Sequence, residues 1–576
     1  MIRKNGVYIS MQQILKVIFF VLLSSSAMAQ STYVPLGNPT YEFIDRFDIK
    51  YGKLLPAPFT SSRPFSRAQV AAFVETLSSS NIKLSKSDAR NLKYMVDDNS
   101  EWYDSLKSTS RKPFLRYFYK EPATFYGVRT KNDEFILKIN PILNLGLGAE
   151  VDDRLILNNG RGLEFRASIM KKISVSFSLV SNQQLWPTYV DDRILRNNFQ
   201  AIPGLGYFKY DNTSPSRIFK QVSYDYYDYR GSINFSILKH IDVQFGHDKN
   251  FIGNGYRSLF LSDNSAPYLF LKLNTRIWRI NYQNIFAEMQ GQYKRGGDRL
   301  LDKKFAAFHH LSVNVAKWLD IGFFEGVIMN RKKQFDIQYL NPIIFYRSIE
   351  QSIGSPDNSL IGADIKVNFA RHGQIYGQFL LDEFNFSQFK KKWWGNKYGF
   401  QLGAKYIDVG GLKNLDLQME FNMVRPYTYT HLSNSTVVMA NYTHYNQALA
   451  HPLGANFREL IAIVKYQPIK NLELKLKYIY ANTGADSSGS NWGSNIFLPA
   501  SEKYVETTFG NLTTQGVKQN ITIIHLIVSY QLRHNLFFDF QYSVRNLKSD
   551  IKENSKSVSY VLCGLRINIP HRTFDF

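Results

Sequence analysis

Period-two alternation of apolar and polar residues, repeated from about residue 114 onward, is the feature that most constrains this chain. In the clearest segment, 415–423, Leu, Leu, Met, Phe and Met alternate with Asp, Gln, Glu and Asn. Segments 472–478 and 536–545 repeat the pattern. Successive strand residues point to opposite faces of a sheet. Such segments therefore predict strands with one apolar and one strongly polar face, which suits a membrane barrel around a hydrated lumen.

The pattern also predicts which side chains face lipid and which face the lumen. We expect Asp416, Glu420 and Lys475 in the lumen, because they alternate with the apolar positions. A shift of one residue in register would exchange the two faces. The side chains expected to face lipid are Leu417, Met419, Phe421, Leu474, Leu476, Phe538 and Phe540.

The connections between strands alternate in length, as periplasmic turns and extracellular loops do in bacterial outer-membrane barrels. Together they predict an all-β fold, one closed transmembrane antiparallel β-barrel of about 18 strands within residues 114–576, with both ends periplasmic. A sandwich gives no comparable fit. Tight turns are expected near Lys171-Lys172, Lys239-His240, Asn274-Thr275, Ala316-Lys317, Arg371-His372, Gly410-Gly411, 468–471 and Arg533-His534. Long connections are expected at 149–160, 182–225, 248–267, 291–304, 329–359, 382–396, 425–456, 482–516 and 546–555.

The chain before the barrel, residues 30–113, has a different pattern. Segments 66–77 and 85–96 have helical spacing, and each opens with a serine, Ser66 or Ser85, of the type that caps a first helical turn. Residues 33–51, punctuated by Pro and Gly, predict an extended segment. We expect a small N-terminal element, extended and helical, at the periplasmic end of the barrel.

The apolar run 14–23 follows basic residues and precedes Ala27-Met28-Ala29, a small-residue cleavage site. This pattern predicts a signal peptide over residues 1–29 and hence export, here to the cell outer membrane. No later segment approaches the twenty apolar residues of a membrane-spanning helix, which excludes helical membrane proteins. At the other end, a last strand near 559–569 and Phe576 resemble the assembly signal of outer-membrane barrels.

The net charge of +23 would suggest nucleic acid as the partner of a cytosolic protein. Export removes that interpretation. The acidic partners that remain are surface polysaccharide and the phosphates of lipopolysaccharide, beside the lipids of the outer membrane itself. A solvated basic surface without a partner is the alternative. The single cysteine, Cys563, rules out an internal disulfide.

The sequence contains none of the HExxH, GxSxG, P-loop or CxxC motifs. His309 and His310 would point to opposite faces of a strand, and His444 and His451 have no evident third ligand. We therefore predict no metal, no cofactor and no catalytic residue. The adjacent carboxylates Asp382-Glu383 leave an alternative open, a hydrolase with its second acid from Glu350 or Asp364, although their distances are not fixed by the sequence.

Loops 182–225, 248–267, 329–359 and 382–396 carry aromatic side chains that can stack on sugar rings and cations that can bind carboxylates or phosphates. We expect them to build one extracellular surface for an acidic polysaccharide. The alternative is structural: Gly255, Gly354 and Pro356 shape turns, while Arg257 or Asp357 bonds the loops to the barrel rim. The candidate ligand-binding residues are Trp186, Tyr189, Arg193, Arg257, Arg347, Lys391, Trp393 and Trp394.

Three long stretches carry a family resemblance: FGHDKNFIGNGYRSLFLSDNSAPYLFLKL (245–273), YLNPIIFYRSIEQSIGSPDNSLIGAD (339–364) and YGQFLLDEF (376–384). With YEFIDRFDIKYG (41–52), they resemble the capsule-assembly Wzi family, in particular its gliding-motility RemB-like branch of Bacteroidetes-type bacteria. The resemblance implies an eighteen-stranded barrel with a periplasmic helical bundle. It also implies a non-enzymatic surface lectin or organiser in capsular or exopolysaccharide attachment and assembly, with links to gliding motility and adhesion. A diffusion porin and an outer-membrane hydrolase stay open as alternatives.

Overall fold

The computed structural model describes residues 31–55, 57–103, 110, 113–195, 201–207, 223–292, 300–331, 334–342, 345–431, 439–487 and 489–576. The signal peptide predicted over residues 1–29 lies outside the described residues.

Eighteen antiparallel strands form one closed barrel, which confirms the predicted architecture and strand number. The first strand pairs with the last, residues 143–150 against 560–567, and this pairing closes the wall. The strands are β1 Phe135–Glu150, β2 Leu155–Ile169, β3 Ile173–Leu185, β4 Tyr224–Leu238, β5 Ile241–Asp248, β6 Tyr268–Ile277, β7 Ile280–Gln290, β8 Lys303–Ala316, β9 Leu319–Ile328, β10 Asn358–Phe369, β11 Gly373–Glu383, β12 Lys397–Tyr406, β13 Leu415–Val424, β14 Phe457–Ile469, β15 Leu472–Ala485, β16 Val517–Arg533, β17 Leu536–Ser549 and β18 Lys556–Ile567.

Several boundaries differ from the sequence expectation. The barrel wall begins at β1 and not near residue 114, although a short strand, Tyr126–Arg129, already pairs with the start of β1. Asn274 and Thr275 lie within β6, and the turn falls at Trp278-Arg279. The connection expected at 149–160 is a short turn between β1 and β2. In the last two cases the strands continue through polar residues, because backbone pairing and not side-chain polarity decides where a strand ends.

The two faces of the wall differ as the alternation predicted. The side chains of Met419 and Leu476 are 46% and 43% exposed on the outside, whereas Glu420 is 1% and Lys477 3% exposed on the inside. The register therefore follows the prediction, with Asp416 and Lys475 also bonded to groups inside the barrel. The outer face presents apolar side chains to lipid, and the inner face is a polar network.

Three helices precede the barrel: α1 Thr40–Tyr51, α2 Arg67–Ser78 and α3 Lys86–Asp98. Ser66 and Ser85 cap α2 and α3 through complete capping boxes, as predicted. Elsewhere the helices are short: Thr188–Leu195 and Tyr346–Ser352, with single 3-10 turns at Ser100–Trp102, Ile337–Leu340, Phe386–Gln388, Val409–Gly411 and Lys552–Asn554. Among the described residues, no helix has the length and hydropathy to cross a membrane.

The extended conformation predicted for residues 33–51 is wrong from Thr40 onward, where α1 forms. This helix is buried on nearly every side, including Arg46 and Asp48, so its sequence lacks the polar stripe that marks a surface helix. Pro39 precedes it without a side-chain cap, and Gly52 ends it in the left-handed conformation. Burial against the rest of the protein therefore stabilises α1, and its local sequence does not predict a helix.

Arg46 joins this helical element to the end of the barrel that carries the short turns. Its Nε lies 2.8 Å from Asp88 Oδ1 in α3, and its Nη2 lies 2.6 Å from Asp408 Oδ1 in the turn between β12 and β13. Its Nη1 also binds Asp416. Lys50 reaches the other oxygen of Asp88 at 2.6 Å. These buried ion pairs hold the helices in the short-turn end of the barrel.

This junction gives a pH prediction. Burial alone would raise the pKa of Asp88, but the charges of Arg46 and Lys50 outweigh it and lower the pKa to about 2. An unfolded aspartate titrates near about 3.9. Because the folded-state pKa is lower than the unfolded one, the ionised Asp88 stabilises the docked helices fully above the unfolded pKa. This stabilisation is lost as the pH falls through the folded pKa. We expect hydrogen-exchange protection of residues 86–98 in the purified barrel to decrease between about pH 4 and pH 2.

The matched control is Asp88→Asn, which removes the titrating charge. It should show reduced protection at neutral pH and a flatter dependence below about pH 4, because the asparagine cannot lose a charge. Equal pH dependence in both proteins would contradict the assignment to Asp88.

Candidate functional site

The four loops expected to form one surface lie in different places. Part of 248–267 enters the lumen, 329–359 lies largely against the outer wall, and 382–396 stays at the rim. The described part of 182–225 packs beside residues 568–576, which follow β18 and are called here the post-barrel segment. The eight predicted ligand-binding residues are therefore distributed over separate places.

The loop after β5 folds into the lumen and carries Arg257 with it. The backbone N–H groups of Tyr256 and Arg257 donate to the Glu420 carboxylate, at 2.7 and 3.0 Å. The Arg257 guanidinium lies 3.1 Å from Glu459 Oε1 and also donates to the Asp575 carbonyl at 2.5 Å. Its side chain is 11% exposed. Arg257 thus fixes this inward loop to the wall, as the structural alternative described.

Trp186, Tyr189 and Arg193 do come together, around the post-barrel segment. The Trp186 ring packs edge-on against Phe574 with centroids 4.8 Å apart, and the Tyr189 hydroxyl donates to the Phe574 carbonyl at 3.0 Å. The Arg193 guanidinium lies 4.1 Å from the Phe576 ring centroid. Both aromatic side chains are buried. With Arg257, four of the eight predicted residues therefore contact residues 574–576.

Arg347 lies on a segment that folds over the outside of the barrel, here called the outer flap, residues 334–342 and 345–353. Its backbone N–H donates to Glu325 on the outer face of β9 at 2.8 Å, and its half-exposed side chain pairs with Glu350 at 3.2 Å. The base of the flap is held by Asp357, which accepts from the Tyr339 hydroxyl at 2.8 Å. Asp357 thus anchors the loop, the role that the alternative interpretation gave it.

The rim between β11 and β12 presents the remaining candidates. Trp394 is buried against Tyr427, with ring centroids 5.8 Å apart, whereas Trp393 is partly exposed. Lys391 is exposed, with its Nζ 5.6 Å from the Phe509 ring centroid. Trp393 therefore offers an accessible ring beside a cationic side chain.

We call the accessible part of this rim the basic–aromatic patch: Lys390, Lys391, Lys392, Trp393 and Phe509. Within the described part of the chain, no carboxylate lies at ion-pair distance from the three lysines. The loop that carries Phe509 braces them, since the N–H groups of Gly510 and Asn511 donate to the carbonyls of Lys391 and Lys392, each at 3.0 Å. These backbone hydrogen bonds hold the three lysines and the Trp393 ring side by side at the rim.

The described residues do not form the geometry that the hydrolase or metal-site alternatives would require. Asp382 accepts from the Tyr429 N–H at 2.7 Å, while Glu383 pairs with Lys397 at 3.0 Å, so the two carboxylates serve different contacts. Asp364, one proposed second acid, is buried 2.8 Å from His310. In the described ranges, no cluster of three or more His, Cys, Asp or Glu suits a metal ion.

Sequence reasoning missed the residues that organise the loops from inside. Glu420 and Glu459 were visible as polar members of alternating strands, but their partners lie more than 150 residues away in the inward loop. Asp575, which binds Lys477 at 2.5 Å, follows the last strand and carried no signal at all. Phe576 does not end the last strand, because β18 stops at Ile567 and the following residues turn into the lumen.

Comparison with known proteins bears on this architecture. Residues 232–558 match the family model of the capsule assembly protein Wzi, which covers more than half of the chain. No curated protein sequence matches.

The structure of Wzi from Escherichia coli is similar, with a TM-score of 0.55 and 13% identity over 94% of this chain and 100% of that one. That protein is described as an outer-membrane, carbohydrate-binding β-barrel involved in group 1 capsule assembly. OprD of Pseudomonas aeruginosa matches at a TM-score of 0.41 and 10% identity, over 76% of this chain and 96% of its own. OccAB4 of Acinetobacter baumannii matches at 0.40 and 9%, over 75% and 97%.

Proposed function

Because this outer-membrane barrel belongs to the Wzi family of capsule assembly proteins, we propose that it binds an acidic surface polysaccharide and holds it at the cell surface. The binding role that is described for Escherichia coli Wzi supports the proposal. The finer assignment to the RemB-like branch, with a role in gliding motility or adhesion, rests on the motif resemblance and forms part of the same proposal.

The observation that carries the proposal is the basic–aromatic patch. Its lysines have no carboxylate partner in the described chain, so acidic groups of a ligand would meet cations that need not give up an existing ion pair. The ring of Trp393 offers a stacking face for a sugar beside them. Arg347, on the outer flap, is half exposed and adds a fourth cation to these three lysines. The proposal involves no catalysis.

The orientation follows from the same architecture. In bacterial outer-membrane barrels the short turns are periplasmic and the long loops extracellular. We infer that the N-terminal helical element, packed in the short-turn end, faces the periplasm and that the patch faces the medium. Protease added to intact cells should then leave residues 66–96 uncut.

The test replaces two charges of the patch. We expect Lys391→Ser/Lys392→Ser to weaken binding of the purified barrel to the acidic polysaccharide of the source organism about tenfold, since exposed ionic contacts contribute up to about 1 kcal/mol each. Salt should have the same effect, because the Debye length falls to about 3 Å at 1 M. Binding is measured by biolayer interferometry, with neutral dextran as the reference polysaccharide.

The control variant is Lys171→Ser/Lys172→Ser, which removes the same charge from the exposed short turn between β2 and β3. It should bind as the unmodified protein does. Binding that survives both the patch substitutions and high salt would overturn the proposal and favour a porin or a purely structural barrel.

A further inference from the structure

The post-barrel segment runs back through the lumen after β18 ends. Near the short turns, the Asn568 N–H donates to the Asn535 carbonyl at 3.1 Å, and at the other end Arg545 Nε donates to the Phe576 carbonyl at 2.8 Å. Arg545 pairs with Val558 near the long-loop end of β18. Nine extended residues reach about 30 Å, close to the thickness of the hydrocarbon core. The segment therefore spans most of the lumen.

Asp575 is the polar anchor of this segment. Its carboxylate lies 2.5 Å from Lys477 Nζ of β15 and also accepts from the Tyr256 hydroxyl of the inward loop. Thr573 donates to the same carboxylate at 3.0 Å, and Arg257 donates to the Asp575 carbonyl. Lys477 and Asp575 are each less than 5% exposed. A buried lysine and carboxylate of this kind are strongly destabilised unless they remain paired.

Aromatic contacts surround the anchor. Phe574 packs on Trp186, and the Arg572 guanidinium lies 4.8 Å from the Phe574 ring centroid and 5.3 Å from that of Trp186. Phe576 lies between Arg193 and Tyr189, whose ring centroid is 5.9 Å away. The side chains of Phe574, Asp575 and Phe576 thus contact aromatic rings and cations of the barrel and its loops.

A cavity of about 620 Å³ extends beside the segment for its whole length. It is lined by Lys470 and Asn471 at a short turn and by Gln184 and Pro452 towards the long loops. Residues 568–576 form one of its walls. Removing the segment would join this cavity to the space the segment fills.

We propose that the lumen contains a peptide-binding site for an aromatic–acidic sequence, that residues 572–576 occupy it in cis, and that this occupancy closes the barrel to small solutes. The helical element and the inward loop also line the cavity beside the segment, so the segment closes the barrel together with these two elements. This site is separate from the basic–aromatic patch and does not depend on the proposed function.

The experiment measures ion conductance in planar bilayers. The unmodified barrel should be silent, whereas a variant lacking residues 572–576 should show discrete conductance steps with its helical element intact. Adding the synthetic peptide Arg-Thr-Phe-Asp-Phe should abolish the steps, and Arg-Thr-Phe-Asn-Phe should not, because it lacks the carboxylate that Lys477 binds.

Heat-modifiable migration in gels establishes that each variant is folded. If the deletion does not fold, the full-length Asp575→Ala/Phe576→Ala variant decides in the same way. A folded variant that stays silent, an unmodified barrel that conducts with the same steps, or steps unaffected by the peptide would each overturn the inference. Polysaccharide binding at the patch should be unchanged in the deletion variant, so the two proposals fail independently.

Discussion

Replacing Arg257 by alanine is expected to destabilise the barrel by about 3–5 kcal/mol, the usual cost of removing one partner of a buried ion pair. The substitution would leave Glu459 without its guanidinium partner and the Asp575 carbonyl without a donor. The inward loop would keep its other bonds to the wall, among them those of its backbone N–H groups to Glu420 and to Gln378. We expect less heat-modifiable barrel in the outer membrane and a lower urea midpoint for the purified protein.

Arg347→Ala provides the comparison, since both arginines were predicted ligand contacts. Arg347 is half exposed, and among the described residues its ion pair is with Glu350 on its own helix, so its loss should cost less than about 1 kcal/mol. If Arg257→Ala gave a normal amount of folded barrel but released polysaccharide, Arg257 would be a ligand contact and the structural assignment would fail.

Leu476→Arg should destabilise the barrel by about 2–4 kcal/mol if residue 476 lies near the middle of the bilayer, and by less towards either interface. The side chain of Leu476 points outward from β15 and is 43% exposed, so an arginine would face lipid. Its neighbour Lys477 carries a charge without such a penalty, because it points inward and pairs with Asp575. Folding into lipid vesicles, titrated with urea, measures the difference.

Leu476→Phe is the matched control and should leave the midpoint nearly unchanged, since the outer face accepts apolar side chains of many sizes. A cost for Leu476→Arg no greater than for Leu476→Phe would mean that this part of β15 does not contact lipid. The pair of variants thus tests the register of the wall and its position in the bilayer together.

The barrel was predictable because its signals are local. Alternation over 415–423 follows from the pleat of a strand, and Ser66 and Ser85 mark helix starts by their own chemistry. The helix over Thr40–Tyr51 was not predictable in this way. Burial on nearly every side removed its amphipathic pattern, and the groups that make Arg46 acceptable there, Asp408 and Asp416, lie more than 350 residues away.

The candidate site was predictable only in part, for the same reason. Residue types identified side chains able to bind a charged sugar, but whether a loop turns outward or inward depends on distant partners. Arg257 lies in the lumen because its backbone N–H donates to Glu420 and its guanidinium donates to Glu459. Lys391 and Trp393 stay at the rim, and no feature of their own sequence separates them from Trp394, which is buried.

The position of the post-barrel segment also sets an order of events during biogenesis. Its contacts join Phe574 to Trp186 and Phe576 to Arg193, residues almost 390 positions apart, and they need the wall between β3 and β18 to be complete. Contacts between residues so far apart in sequence form late in folding, because closing the long intervening loop costs entropy before the contacts can stabilise the fold. Before the barrel closes, its interior would therefore lack this segment. Entry of the segment into the lumen would then follow the pairing of β1 with β18.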